Sequence, residues 1–320
     1  MKFIKSIYCL LFTFFIYMVV GCGQQSGLNH VLAPGTKPVK LNKDSLFVFT
    51  EGPACDANGT LFFTDGPSGR IWRMDGDNQF TVVITGGGRP DGQMFDHQGN
   101  LVVCEYDAKK VSYWSPDGKL IKVLADEYNK KGLNGPNDVV IDRKGGIYFS
   151  DPFFKRPNAP QDVEGIYYIP QGGTLQRVVS ADSISPNGVI FTPDEKILLA
   201  VDNFLPYVFA YDVNPDGTVS NGRVWGVLTL PPAKPGSDHP PYASAIGVCV
   251  DTEGHLFVGT NFGMQVFDAQ GNNLGTIILP ERPMNMTYGR KNPYLMYIAT
   301  GNSMYSLEMK VKGICFPQLQ

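Results

Sequence analysis

Six equivalent positions of a repeated pattern carry Glu51, Asp91, Asn137, Asn187, Ile246 and Asn285, and five of these side chains present an oxygen. Carboxylate and amide oxygens with few negative charges among them are a donor set for a hard divalent cation, Ca2+ or else Mg2+ or Mn2+ completed by water. Pro lies beside the ring residue or one residue away in EGP, RPDG, GPND and SPNG. The alternative use of these groups is to bond the loops over a channel mouth. Asp65, Glu105, Asp151 and Asp202 occupy a second equivalent position, where hydrogen bonding within turns or blade edges is the alternative use of each.

The elements that must position these residues repeat along the chain. CDANGTLFFTD (55–65), FDHQGNLVVCE (95–105), IDRKGGIYFSD (141–151), TPDEKILLAVD (192–202), VDTEGHLFVGT (250–260) and YGRKNPYLMYIAT (288–300) share one plan. A short strand meets a polar turn, and a β-branched or aromatic run follows, which is the pattern of a hairpin with a buried second strand. Polar hairpins such as WRMDGDNQF and YWSPDGKLI follow most units. Two hairpins make a four-stranded sheet, and six such units predict an all-β fold, a six-bladed β-propeller. In a blade the innermost strand starts at the channel mouth and its partner returns there. Counting five residues back from each first turn position gives the six residues named above, so the pattern predicts a ring around the mouth.

Composition agrees. The 320 residues are 43% apolar, enough for a large core, and only 18% charged against a usual ~25%. With Gly 36 and Pro 24 the chain is rich in turns and poor in surface helix. A net charge of −3 excludes a general nucleic-acid binder, which needs a basic surplus. Four His with no pair, and no CxxC, argue against a zinc site. No phosphate-binding Gly loop, dinucleotide fingerprint or GxSxG elbow is present.

Lys2 and Lys5 precede an apolar run from Ile7 to Val20. That run is short for a membrane span, which needs about twenty residues, and fits a signal-peptide core. Val19-Val20-Gly21-Cys22 resembles a bacterial lipobox, whose Cys is lipidated after cleavage. The expected organisation is a signal peptide over 1–21, a tether over 22–40 and the propeller over 41–315. The mature chain would then sit in the cell envelope, outside the cytoplasm, and touch the membrane through acyl chains on Cys22 alone. Cys104 and Cys249 lie in apolar strand patterns and read as buried hydrophobes, while Cys55 and Cys315 are candidates for a bridge between the chain ends.

Four segments, EGPACDANGTLFFTD, LNGPNDVVIDRKGGIYFSDP, SPNGVIFTPDEKILLAVD and LPERPMNMTYG, resemble the gluconolactonase branch of the senescence marker protein/regucalcin family. The resemblance covers nearly the whole chain after residue 45. It implies a six-bladed propeller that hydrolyses sugar lactones or related esters with one divalent cation in the channel, Ca2+ first and Mg2+, Mn2+ or Zn2+ as alternatives. By position it places metal ligands at Glu51 and Asn187, with Asn137 at the metal or facing its water or substrate. Asn134 falls where some members carry a substrate-contacting Arg.

The chain departs from the family in the fifth blade, where Ser244-Ala245-Ile246-Gly247 replaces a Pro-Asp-Gly and Ile246 stands for an acid that ligates the metal. Ile can neither bind a cation nor move a proton. In the second blade, Asp91 stands where gluconolactonases usually carry Asn, so the ring still holds two carboxylates. Either another acid (Asp91, Asp202 or Asp151) does the chemistry, or the ring serves a different metal-dependent sugar-processing reaction, or the mouth has become a pocket that binds a carbohydrate or protein. For catalysis the expected base is Asp202, at the end of the strand beside Asn187, with Asp91 second. Asn134, Asn137 and Asp151 are the expected substrate contacts. Residues 231–242 (PPAKPGSDHPPY) are a stiff surface loop or a lid bringing Asp238 or His239 to the site. Phe153, Phe154 and Phe204 follow second strands, so they belong on the site face, against a sugar ring or between blades.

Overall fold

Each alternation of apolar run and polar turn becomes an antiparallel meander, and in the computed structural model these meanders form six four-stranded sheets. The structure describes residues 27–43, 46–181, 184–233 and 241–318. The innermost strands are Thr50–Cys55, Pro90–Phe95, Val139–Ile141, Pro186–Phe191, Val248–Val250 and Asn285–Tyr288. Each packs against the next and the last against the first, which closes a six-bladed propeller around a channel.

The second strands are the structural core. Leu61–Asp65, Leu101–Glu105, Ile147–Asp151 and Leu256–Thr260 are buried along their whole length. A strand covered on both faces takes apolar side chains on both, which is why each of these opens on at least three consecutive apolar residues instead of alternating ones, before ending on polar or small ones. Phe63, Phe149 and Phe257 are fully buried there, and each contributes about 1.5–3 kcal/mol relative to exposure.

Both chain ends complete the circle. Val39–Lys40 pairs with Met304–Glu308 in the last blade, Val39 opposite Ser306 and Lys40 opposite Tyr305. Residues 27–40 are therefore not a free tether: Val31 is fully buried and its carbonyl accepts the Lys310 N–H at 2.8 Å. A single turn and a two-residue strand are too short to show a period in sequence, which is why this segment reads as linker. The signal peptide, Cys22 and the rest of the tether lie outside the described residues, as do Asp238 and His239. At the other end Ile314 N–H bonds the Val250 carbonyl at 3.2 Å and Phe316 packs near Phe191, so the C-terminal segment crosses the channel's far end.

Candidate functional site

Acids at the ends of four second strands share one task. Asp65 accepts the Val48 and Phe49 N–H groups, and Glu105 accepts that of Gly88 together with the Lys110 ammonium at 3.2 Å. Asp151 accepts Asn134 N–H at 2.9 Å and Gly135 N–H at 2.8 Å. Asp202 accepts the N–H groups of Ser185, Phe204 and Leu205. In each blade the acid lies 17 residues after a backbone donor in the segment leading into that blade's own inner strand. Each acid thus pins a loop at the mouth. Asp202 and Asp151, expected as base and substrate contact, spend their oxygens on backbone. Asn134 does likewise: its amide donates to the Asp151 and Val163 carbonyls and accepts Gln161 N–H at 3.0 Å, with the side chain buried.

The ring positions meet through their glycines. A Cβ on Gly52 would lie 2.3 Å from the Asp91 carbonyl oxygen, and one on Gly92 2.6 Å from that of Asn137. On Gly188 it would lie 2.3 Å from the Ile246 oxygen, and on Gly247 2.2 Å from Asn285 Cγ. Absence of a side chain after four of the six ring residues lets neighbouring inner strands approach. Strand register also breaks between Glu51 and Ala54, Pro90 and Gln93, and Pro186 and Val189. Such bulges bend the strand and re-aim side chains.

At this mouth Asn137 Nδ2 donates to Asp91 Oδ2 at 2.8 Å, and Gly92 N–H to the Asn137 carbonyl at 2.7 Å. The Asn285 side chain lies close enough to the carboxylates of Glu51 and Asp138 to favour their charged forms, and its Oδ1 accepts Met286 N–H at 2.8 Å. Asn187 Oδ1 is buried with no hydrogen-bond partner. Ile246 brings hydrocarbon alone to the fifth position, although its N–H pairs with the Gly259 carbonyl at 3.0 Å.

The acid that sequence counting misses is Asp138, one residue past the ring. Its Oδ2 accepts Val189 N–H at 2.9 Å, joining the third and fourth blades. Burial lifts its carboxyl to about 7. Burial also lifts Asp91 to about 7, against the lowering pull of Arg89. Glu51 rises well above the carboxylate range through burial first and then the charges of Asp91 and Asp138. Three buried acids of which Asp138 raises the other two and Asp91 raises Glu51 cannot all ionise without a positive charge to balance them. The available sequence signal was an acid directly before the wholly apolar strand Val139–Ile141.

Among the described residues no three His, Cys, Asp or Glu side chains converge as a metal cluster. A cation at the mouth must therefore use amide oxygens as well, and the Glu51 carboxylate with the unpartnered Asn187 oxygen fits that need. Beneath the ring lies a cavity of about 40 Å³, reached by Asp138 and Asn285 from one side and by Cys55 and Cys315 from the other. Both thiols are free; burial lifts that of Cys315 to about 11. Cys104 and Cys249 are buried, as expected of small apolar residues.

Residues 49–302 match a family model described as the SMP-30/Gluconolactonase/LRE-like region. The gluconolactonase of Zymomonas mobilis is 25% identical over 288 residues, covering 79% of this chain and 77% of its own. Lactonase drp35 of Staphylococcus haemolyticus is 26% identical over 242 residues, covering 72% of this chain and 70% of its own. Among solved structures, a gluconolactonase from Xanthomonas campestris superposes with a TM-score of 0.76 at 26% identity, over 88% of this chain and 92% of that one.

Proposed function

The chain belongs to the SMP-30/gluconolactonase/LRE-like family, and from that premise we propose that it hydrolyses sugar lactones at the channel mouth with a divalent cation held by Glu51 and Asn187, joined by Asn137. The observation that carries this reading is the buried, unpartnered Asn187 oxygen at a ring that also holds the desolvated Glu51 carboxylate. An all-oxygen donor set favours Ca2+, with Mg2+ and Mn2+ next, over Zn2+. The relatives named as gluconolactonase and lactonase support the substrate class.

Water attack on a lactone carbonyl builds a tetrahedral oxyanion. When bound, the cation supplies positive charge to that oxygen. Asp91, oriented by the Asn137 amide and poised near 7, accepts the proton of the attacking water and returns it to the ring oxygen as the ester bond breaks. Asn285 lies against Glu51 and Asp138 and favours their charged forms, and the charge of Asp138 raises the basicity of Asp91. Asp202 is set aside because its carboxylate is committed to three N–H groups.

The lipobox-like Val19-Val20-Gly21-Cys22 supports a lipid-anchored position in the cell envelope, outside the cytoplasm. Loss of palmitate labelling in Cys22→Ser is the expected result; retained labelling would refute it. A second reading, a propeller that binds a carbohydrate without turning it over, draws support from Ile246 at the fifth ring position. A pH-stat assay on glucono-1,5-lactone separates the two. Hydrolysis that stops with chelator, and that falls by about 100-fold or more in Glu51→Gln, is expected for a lactonase. A folded, cation-supplemented protein that hydrolyses no lactone would overturn it.

A further inference from the structure

We infer that the lactone taken by this site carries an anionic group, a phosphate or carboxylate, remote from its carbonyl; the inference rests on the lactonase reading and names its substrate class. The loops on the site face of the second to fourth blades hold four cations around an aromatic platform. The Arg89 and Arg156 guanidiniums lie 5.0 and 5.6 Å from the centre of the same Tyr106 ring. Tyr106 also stacks on Phe154 at 5.8 Å, with 22° between the planes. Lys109 Nζ lies 5.5 Å from the Phe153 ring, and Lys155 Nζ 4.8 Å from that of Phe204.

These cations lack the anions that their counterparts elsewhere have. Arg73, Arg177 and Arg223 each pair with an Asp at 2.7–2.8 Å. Among the described residues, Lys109, Lys155 and Arg156 form no ion pair, and Arg89 has only a 3.7 Å contact to Asp107, whose side chain is 64% exposed. Glu164 is near, yet its Oε1 accepts the Lys155 backbone N–H at 2.9 Å, not the ammonium. An aromatic face orients a cation without cancelling its charge. A chain of net charge −3 thus leaves a concentrated positive rim at one place.

That rim borders the acid ring. Arg89 acts electrostatically on Asp91, and Asp91 on Tyr106. Lys109 and Lys155 likewise favour the charged forms of Asp151 and Asp202, but none of the four cations forms an ion pair with Glu51, Asp91 or Asp138, so their charge stays available to a ligand. The Tyr106 hydroxyl is buried with no hydrogen-bond partner, which leaves a donor beside the two guanidiniums. The mouth therefore has two zones: oxygens at the centre for the carbonyl end, and cations outside it for a distant negative charge. A neutral sugar lactone would leave the outer zone unused.

The test compares kcat/KM for glucono-1,5-lactone, its 6-phosphate and a lactone of glucaric acid, with calorimetric binding of glucose, glucose 6-phosphate and glucuronate alongside. At least about tenfold preference for an anionic lactone is expected, weakening as salt rises. In Arg156→Gln, and in Lys155→Gln as a second exposed variant, the anionic-to-neutral ratio should fall about tenfold. Phosphate and carboxylate ligands are told apart by whether glucose 6-phosphate or glucuronate binds more tightly. Equal use of neutral and charged lactones would overturn the inference and leave the lactonase reading standing. Absence of all hydrolysis, with glucose 6-phosphate still binding more tightly than glucose, would overturn the lactonase reading and keep the anion site.

Discussion

Asn137 donates its amide N–H to Asp91 across the junction of the second and third blades, at 2.8 Å. The bond fixes one carboxylate oxygen and leaves the other for water. Because burial lifts Asp91 to about 7, hydrolysis by the wild-type chain should fall as pH drops through that region, once spontaneous hydrolysis is subtracted. Asn137→Asp places a second acid against the first, so the descending limb should move to higher pH and kcat/KM at neutral pH should drop about 100-fold. An unmoved pH profile in the variant would remove Asp91 from the role of base.

Asp138 and Asp202 should separate function from framework. Asp138→Asn removes the charge that raises Asp91, so the acid limb of lactone hydrolysis should move to lower pH and kcat/KM should fall about tenfold. Asp202→Asn turns an acceptor of three N–H groups into a group that also donates, so it should cost about 1–3 kcal/mol of stability. Activity per folded molecule should change far less than in Asp138→Asn. Thermal melts beside kcat/KM for both proteins decide it, and the reverse pattern would return Asp202 to the catalytic group.

The propeller and its ring were legible because their signals are local. Strand alternation, turn residues and a fixed count back from each turn all lie within about a dozen neighbours. Roles of the acids were not legible, since they depend on where backbone N–H groups end up. Asp202 and Asp91 look alike in sequence, but one meets three N–H groups and the other a side-chain amide. Asp138 was passed over because a count of one residue per blade assumes a regular pleat. The mouth is bulged in the first, second and fourth blades, and in the third, where Val139–Ile141 pairs without a register break, Asp138 sits just ahead of the strand and lines the cavity beneath the ring. The Tyr106 rim joins loops from three blades, a coincidence no single repeat displays.

Gly92 is a sensitive point of the ring. A methyl there would lie 2.6 Å from both the Asn137 carbonyl oxygen and Asp138 Oδ1, with backbone on one side and a buried carboxylate on the other. Gly92→Ala should keep the β-sheet signature in circular dichroism, lose about 1–3 kcal/mol, and lose lactone hydrolysis out of proportion to that destabilisation. Wild-type kcat in the variant would mean that the second and third blades can part here without disturbing the site.

Stability should carry a pH signature from the fifth blade, away from the mouth. His255 Nδ1 lies 2.8 Å from the fully buried Asp251 carboxylate, whose other oxygen accepts the His255 backbone N–H at 2.9 Å. The hydrogen bond to Asp251 raises the imidazole above its ordinary 6.5. A raised folded-state value means that the folded protein binds the proton more tightly than the unfolded chain. The pair's contribution is then complete below about 6.5 and is lost as pH climbs through the higher folded value. Asp251 also bridges to Gly313, so this turn holds the segment that crosses the channel's far end. His255→Gln keeps a donor but no titratable charge. It should lower Tm by about 2–4 °C near pH 5.5 and by much less near pH 8.5, the scale of about 1–2 kcal/mol in a domain of this size. A Tm difference that stays constant, or grows, toward alkaline pH would show that the imidazole stabilises this turn in its neutral form.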